Sequence, residues 1–288
     1  MVIPHQYLLT LLILANYQAV YVASWDLVGG YTRQINGGQA FFFGGGAYVL
    51  ALAGLYGLPP WFGYLAILLA ALAMGSLFGF LGVRLTGPFL IIATLAVAEI
   101  VHELALSRGF MTAKGYAVGG ESGFPVSPLF PAGTPAYGLN NFYLSTVFLV
   151  VSLAVLLLVV RSRHGLILRA VASDETAAEA VGLDTARIKQ AAFVASSVVS
   201  ALAGAGYAQF LNLATPSALS LEQSFSAIVL ATAGGRGTII GPALAAYVMT
   251  AVFGWLTLNP AVRLLTYCVL LLLTTRFYPQ GLLGRRRR

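Results

Sequence analysis

The chain has 288 residues, of which 59% are hydrophobic and only 9% are charged. Soluble domains carry about 25% charged residues, so a chain this apolar lacks the polar surface that water requires. The net charge of +7 suits the cytoplasmic ends of membrane spans better than a nucleic-acid surface. The composition therefore excludes a soluble domain and indicates a polytopic membrane protein.

Nine apolar segments follow one another along the chain, separated by short polar stretches. A helix needs ~20 apolar residues to cross the hydrocarbon core, and lipid forces each segment to pair its own backbone groups. The segments at 39–57 and 221–235 are short, so either could be re-entrant or broken. We expect an all-α transmembrane bundle of about nine spans, within a range of about eight to ten. The segments are 7–29, 39–57, 61–83, 88–107, 142–161, 190–211, 221–235, 239–257 and 261–278.

The basic residues orient these spans. If the polar stretch 162–189 is cytoplasmic, thirteen lysines and arginines lie inside and three outside, as the positive-inside rule requires. This orientation places the N-terminus outside and the C-terminus in the cytoplasm. We expect one transmembrane domain over 1–288, with a periplasmic loop at 108–141 and a cytoplasmic coupling loop at 162–189. The thirteen are Arg33, Arg84, Arg161, Arg163, Arg169, Arg187, Lys189, Arg236, Arg276 and Arg285 to Arg288.

The cytoplasmic loop contains the pattern of a short capped helix. Ser173 or Asp174 is suited to accept hydrogen bonds from the first-turn N–H groups, and Glu175 lies at the positive end of the helix dipole. Gly182 suits the left-handed position that ends many helices, and Asp184 is suited to cap a following helix. The loop is therefore predicted to hold an independent helix between two spans.

The small side chains of this helix predict a docking surface. Ala177, Ala178 and Val181 fall on one face at helical spacing, whereas Glu175 and Glu179 fall together on another. A face of small residues would let a groove on another protein close over the helix. A helix that only lay on lipid would favour bulky apolar residues. A plain interfacial linker between two spans remains the alternative.

Residues 176–182 read Thr-Ala-Ala-Glu-Ala-Val-Gly. This stretch resembles the coupling-helix motif of ATP-binding-cassette (ABC) importer permeases, which runs Glu-Ala-Ala, three residues, Gly. Thr176 stands where glutamate is usual, and the downstream part of the longer motif is absent. The wider context from Arg169 to Leu183 resembles the branched-chain amino-acid permeases in particular.

Other stretches, in order along nearly the whole chain, are similar to the LivM-type subunit of those permeases. In the first of them Arg33 replaces a glycine that is usual in the family. The last two are shared with the LivH-type partner and with urea permeases. The stretches lie at 27–34, 38–42, 46–48, 94–100, 234–242 and 279–284.

The resemblance implies a permease subunit of an importer for branched-chain or related amino acids in the bacterial cytoplasmic (inner) membrane. Such a subunit pairs with a second permease and with two cytoplasmic ATPase subunits, and a periplasmic or lipid-anchored binding protein delivers the substrate. The partners hydrolyse ATP, so the chain is expected to be no enzyme and to need no cofactor or metal. A permease for urea, amides or another small polar solute is the alternative within the superfamily. The implied coupling helix comprises Asp174, Glu175, Thr176, Ala177, Ala178, Glu179, Val181 and Gly182.

Three polar residues inside predicted spans are candidates for the translocation path: Glu99, Asn16 and Gln39. A charge at mid-membrane costs roughly 3 kcal/mol or more, so such residues usually face the bundle or water. Glu99 and Glu103 share a helix face. We expect Glu103 to reach the interface and Glu99 to be buried and hydrogen-bonded.

Several further residues are predicted to shape the bundle. Asn16 and Gln18 could bridge helices by hydrogen bonds, and Asp26 is expected at the membrane interface. The stretch 234–238 lacks the consecutive Lys-Ser/Thr pair that follows the last glycine of a phosphate loop, and it is predicted to form a tight cytoplasmic turn. Close helix packing is predicted for the small-residue stripe formed by Gly75, Gly79 and Gly82.

Two rival classes are less consistent with the sequence. A secondary transporter that works without ATPases would predict internal repeats and charges near the midplane, and no clear repeat is visible in the sequence. An intramembrane enzyme would need a Ser-His pair, paired aspartates or a metal-ligand set inside the membrane. The apolar segments contain none of these sets, so no catalytic or metal-binding residue is predicted.

Overall fold

The computed structural model describes residues 5–107, 110–111, 117–118, 120–130, 137–256, 259–278 and 281–283. Within them the chain forms eleven α-helices, four two-residue strands and one 3-10 helix at Pro216–Leu219. The helices are α1 (His5–Gly29), α2 (Gln39–Leu55), α3 (Pro60–Arg84), α4 (Pro88–Leu106), α5 (Tyr137–Arg161), α6 (Arg163–Ser173), α7 (Glu175–Ala180), α8 (Thr185–Leu211), α9 (Leu221–Gly234), α10 (Ile240–Leu256) and α11 (Pro260–Phe277). The strands are β1 (Phe110–Met111), β2 (Ala117–Val118), β3 (Phe124–Pro125) and β4 (Leu213–Ala214).

Each predicted apolar segment coincides with one helix, which confirms the all-α bundle. The largest differences are at α5 and α8, which begin five residues before the predicted segments. In α8 the extra turn is polar and is capped by Asp184, whose side chain accepts from the Arg187 N–H. Five of the described helices are long and apolar enough to cross a membrane by length and composition: α1, α3, α4, α5 and α8.

One end of the bundle carries most of the positive charge. The residues that follow α1, α3 and α9 meet the helices α6 and α7 there and line two shared cavities. We call this the basic end, and the end that holds the turn between α2 and α3 the opposite end. Among the described residues, Arg263 is the one cation in the first turns of a helix that starts from the opposite end. The cations at the basic end are Arg33, Arg84, Arg161, Arg163, Arg169, Arg187, Lys189, Arg236 and Arg276.

Two arms of the fold repeat one pattern in opposite directions. The first is a long helix (α1), nine residues outside any α-helix (30–38) and a short helix (α2). The second is a long helix (α8), nine residues outside any α-helix (212–220) and a short helix (α9). The two arms pack against each other, and the Ala40 N–H at the start of α2 donates to Ser224 Oγ in α9 at 3.2 Å; we call this contact region the arm crossing. The short segments predicted to be re-entrant or broken are thus α2 and α9.

The helices that follow each arm extend the repeat. Helix α1 packs on α10, and α8 packs on α3, so each long helix contacts the first helix after the other arm. Opposed helix directions in α1–α4 and α8–α11 make this an inverted repeat, a plan known in transporters. The structure therefore contains a repeat although none is visible in the sequence, so the lack of a visible repeat does not count against a transporter of that class. The repeat is one of helix lengths and contacts, and it leaves no visible identity of residues.

The glycine stripe on α3 packs against α8, as predicted. A Cβ on Gly79 would lie 2.9 Å from Gln190 Cα, and one on Gly82 would lie 2.6 Å from the Phe193 ring. A Cβ on Gly75 would overlap Ser197. The glycines thus let two backbones approach closely, which gains van der Waals contact where lipid offers no hydrophobic driving force.

Short strands cover the opposite end. Strand β3 pairs antiparallel with β4, with Phe124 opposite Ala214, and β1 pairs antiparallel with β2, with Phe110 opposite Val118. The first pair joins the loop before α5 to the start of 212–220. It holds that loop against α2. Part of the predicted external loop 108–141 lies outside the described residues.

Candidate functional site

The segment between α6 and α8 forms the predicted capped helix. Asp174 Oδ1 accepts from the Ala177 N–H at 3.0 Å, which confirms Asp174 as the cap. At the other end Gly182 has a φ of 86°. The Leu183 N–H donates to Ala178 O, and the Gly182 N–H donates to Glu179 O. This hydrogen-bond pattern is that of a Schellman motif, so glycine ends α7 as predicted.

Two glutamates attach α7 to α8. Lys189 lies in the first turns of α8 and is only 4% exposed, and its ammonium bonds to the Glu175 carboxylate. Thr185 Oγ1 donates to Glu179 Oε1 at 2.6 Å. The short helix is therefore fixed to the start of a long one at two points. A movement of α7 would be passed to α8 through these side chains.

The exposed face of α7 differs from the predicted one. Ala178 is buried at 5% exposure, so the expectation that Ala177, Ala178 and Val181 share one exposed face is wrong for Ala178. Residues three apart lie on the same side of a helix, and Ala178 therefore follows Glu175 towards the chain's own surface. Ala177 is exposed and Val181 is 77% exposed. Thr176 and Gly182 are also exposed and complete the outer face.

Asn16 and Gln18 bridge helices, as predicted. Asn16 is 1% exposed, and its Nδ2 donates to Ser145 Oγ at 3.0 Å and Thr146 Oγ1 at 3.1 Å, both on α5. Gln18 Nε2 donates to Ser226 Oγ on α9 at 3.1 Å. Polar groups inside a membrane bundle need such partners. Helix α1 is thus joined by side-chain hydrogen bonds to two other helices.

Gln39 lies at the centre of the arm crossing and is fully buried. Its Nε2 donates to Ser24 Oγ at 3.0 Å and to Ser196 Oγ at 3.2 Å, on the two long helices. Its Oε1 accepts from Asn36 Nδ2 at 2.9 Å. The side chain therefore ties together α1, α8 and the start of α2.

Glu99 is only partly buried on α4. Within the part of the chain that the structure describes, it makes neither a hydrogen bond nor an ion pair, so the expected buried, hydrogen-bonded glutamate is not found there. The buried polar residue of α4 is Thr94, whose Oγ1 accepts from the Gly37 N–H at 2.9 Å. Glu103 is exposed, in keeping with its predicted position. Among the described residues no His, Cys, Asp or Glu group is arranged to hold a metal ion.

Asp26, expected at the membrane interface, lies near the end of α1 and is fully buried within the protein. Its carboxylate accepts three backbone N–H groups, from Gly237 at 2.8 Å, Thr238 at 3.1 Å and Ile239 at 2.9 Å. Successive N–H groups in a turn form a concave anion site. We call this arrangement the Asp26 clamp. It joins the end of α1 to the turn after α9.

The sequence carried one signal for this clamp that sequence reasoning missed. The turn predicted at 234–238 is present, with φ values of 111° at Gly235 and 77° at Gly237. Such a turn presents consecutive N–H groups to one side, and a buried carboxylate is the natural acceptor. Gly30 makes room for the contact, since a Cβ there would overlap both Asp26 and Gly237.

Comparison with known proteins now places the chain in a family. The family model described as branched-chain amino acid transport system / permease component matches residues 7–275. The high-affinity branched-chain amino acid transport system permease proteins LivM of Salmonella typhimurium and Escherichia coli are 29% and 30% identical over 276 and 273 residues. Each alignment covers 87% of this chain and 64% of the relative, so the chain spans less than two thirds of their length. No solved structure matches the chain.

The relatives are named as permease proteins and not as enzymes, which agrees with the sequence analysis. The stretches that carried the resemblance lie in the matched region, apart from 279–284. With its matched residues forming a bundle of apolar helices, the chain is a multi-pass membrane protein that belongs to the permease component family of branched-chain amino acid transport systems.

Proposed function

We propose that this chain is the permease subunit of an ABC importer that carries branched-chain or related amino acids across the bacterial cytoplasmic membrane. The observation that carries the proposal is α7: a capped helix at the basic end, fixed to α8 and with Ala177 and Val181 exposed on its outer face. The family match over 7–275 supports the same function. The substrate class and the partners are inferred from the relatives' names and from the family resemblance.

The proposed topology has nine spans, with the N-terminus outside and the C-terminus in the cytoplasm. It makes the basic end cytoplasmic, in accordance with the positive-inside rule, and places α6 and α7 where an ATPase can reach them. The whole chain 1–288 then forms one permease domain, with 108–141 as its periplasmic loop and 162–189 as its coupling loop.

Cysteine labelling tests this topology. The native Cys268, which is exposed on α11, is first replaced by serine. In intact cells a membrane-impermeant maleimide is expected to label Leu58→Cys at the opposite end and to leave Ala180→Cys unlabelled until the membrane is opened. Leu58 is 45% exposed and Ala180 is also exposed, so burial does not decide the result. The reverse pattern would overturn the proposed orientation.

In the proposed mechanism, α7 docks in a groove of an ATPase subunit. Its docking residues run from Asp174 to Gly182, with Ala177 and Val181 in the contact and Thr176 beside them. When ATP draws the two ATPases together, α7 moves and carries α8 with it as a rigid body. Helix α8 packs on α1, α2 and α3, so its movement changes the arm crossing.

The translocation path is proposed to run where this chain meets a second permease subunit. Asn16, Gln39 and Glu99 remain its candidates. Gln39 contacts α8 directly, and Asn16 joins α5 to α1, the helix on which α8 packs. Glu99 retains an unused carboxylate among the described residues. A periplasmic or lipid-anchored binding protein would deliver the substrate to the opposite end.

Reconstitution tests the function. The chain is co-expressed with the second permease, the ATPase subunits and the binding protein of the proposed complex, and the complex is placed in liposomes with ATP inside. Uptake of labelled leucine is expected only with ATP and the binding protein, and an ATPase variant without hydrolysis serves as the control. Uptake of urea or an amide instead of leucine would identify the alternative substrate class. Leucine uptake without the ATPases would identify a secondary transporter and overturn the proposal.

A further inference from the structure

A cleft of about 1090 Å³ opens at the basic end. Its walls come from the residues after α1, the end of α5, helix α6 and the turn after α9. It reaches the end of α6 at Ser173, and no residue of α7 lines it. The cleft is therefore separate from the proposed docking face of α7.

The charge of this cleft is strongly positive. Four arginines line it, and no aspartate or glutamate does; the four are Arg33, Arg161, Arg169 and Arg236. Within the described ranges the ion pairs lie elsewhere, at Arg187–Asp184 and Lys189–Glu175. The nearby Asp26 carboxylate is buried and accepts the three N–H groups of the clamp. The cleft thus gathers four guanidinium groups that form no ion pair with a carboxylate of the described chain.

Two of these arginines are held in position. Arg236 Nε and Nη2 donate to Thr232 Oγ1 at 2.9 and 2.7 Å, which leaves further N–H groups for a ligand. The Arg169 guanidinium lies 5.1 Å from the centre of the Tyr31 ring. Guanidinium groups fixed by their neighbours lose little entropy on binding and match the paired oxygens of phosphate.

Hydroxyl residues and glycines form part of the remaining lining, and one wall is apolar. Leu157 and Val160 of α5 contribute to the wall, together with Leu166, which is 67% exposed, and Ile240, which is 42% exposed. Arg161 is the last residue of α5 and Ile240 the first of α10, so the cleft lies where apolar helices end. A ligand that fits both surfaces carries a phosphate group next to hydrocarbon.

We propose that this cleft binds a phosphate group, and that the headgroup of an anionic membrane phospholipid supplies it. Basic pockets between membrane helices on the cytoplasmic side are suited to such headgroups. The four arginines bind the phosphate, and the apolar wall contacts the glycerol and upper acyl chains. The bound lipid joins α5 and α6 to the turn held by the Asp26 clamp.

Native mass spectrometry of the full chain in detergent tests this site. The probes are phosphatidylglycerol, phosphatidylcholine and inorganic phosphate. The chain is expected to retain phosphatidylglycerol in preference to the zwitterionic lipid. The double variant Arg169→Gln/Arg236→Gln is expected to bind it about 30-fold more weakly, because each basic residue contributes roughly a fivefold effect. Arg84→Gln is the matched control, since Arg84 is exposed at the same end but lies outside the cleft.

Other outcomes distinguish a lipid headgroup from a soluble phosphate, or overturn the proposed site. The single variants Arg33→Gln and Arg161→Gln change exposed side chains, and about fivefold weaker lipid binding by each would exclude misfolding as the cause. If inorganic phosphate binds as tightly as phosphatidylglycerol, the phosphate site stands and a soluble ligand replaces the lipid. Equal binding of the two lipids, or undiminished lipid binding by the double variant, overturns the proposal. In a co-purification experiment, loss of the ATPase by the double variant with unchanged lipid binding would assign these arginines to the ATPase contact and would also overturn the proposal.

Discussion

Replacing Ala177 with tryptophan is expected to abolish ATP-driven uptake while the protein still inserts and keeps its melting temperature. Ala177 is exposed on the outer face of α7, so the indole meets no neighbour in this chain but fills the space that an ATPase groove needs. A substitution at the centre of an interface costs about 2 kcal/mol or more, roughly 30-fold in affinity. The measurements are uptake in proteoliposomes and the amount of ATPase that co-purifies.

Two variants make this test specific. Ala170→Trp introduces the same side chain at an exposed position of α6, and it is expected to leave uptake unchanged. Ala178→Trp is expected to lower the melting temperature as well as uptake, because Ala178 is buried against the chain itself. Gly182→Trp is a poorer probe, since the φ of 86° at Gly182 strains any larger residue. Full uptake and normal ATPase binding by Ala177→Trp would contradict the proposed role of α7.

Replacing Asp26 with leucine is expected to destabilise the bundle strongly. The change removes the acceptor of three backbone N–H groups at a fully buried position. Each donor left unsatisfied costs about 1–3 kcal/mol, so we expect a loss of roughly 4 kcal/mol. That loss corresponds to a fall of about 10 °C in melting temperature. Thermal unfolding of the purified chain in detergent measures it.

Matched variants separate the clamp from a general effect of charge. Asp184→Leu removes a carboxylate that caps α8 at the exposed surface, and is expected to cost only about 1 kcal/mol. Asp26→Asn keeps one acceptor oxygen and is expected to lie between the two. A melting temperature for Asp26→Leu equal to that of Asp184→Leu would show that the clamp contributes little.

Local patterns in the sequence predicted the helices well. Hydrophobic runs indicated each of the nine long or apolar helices, because a membrane requires every span to satisfy its own backbone. The caps at Asp174, Gly182 and Asp184 were also predictable, since capping depends on residues within one turn. The glycine stripe on α3 belongs to the same class, because small residues at helical spacing are a local signal of close packing.

Long-range contacts could not be predicted in this way. The Asp26 carboxylate meets N–H groups 211 to 213 residues further along the chain, and no local pattern pairs the two. The buried side of α7 follows from its attachment to Lys189 and Thr185. Helical spacing grouped the small residues Ala177 and Ala178 on one face, but it did not show which of them the start of α8 would cover.

The sequence by itself determined the membrane class, the family resemblance, the positions of the helices and the caps of α7. The tertiary structure alone decided the inverted repeat, the burial of Asp26, the exposed face of α7 and the arginine cleft. The physical reason is the distance along the chain over which each interaction acts. Hydropathy, capping and helix propensity act over one or a few turns, whereas a buried carboxylate or a cleft depends on which distant segments meet.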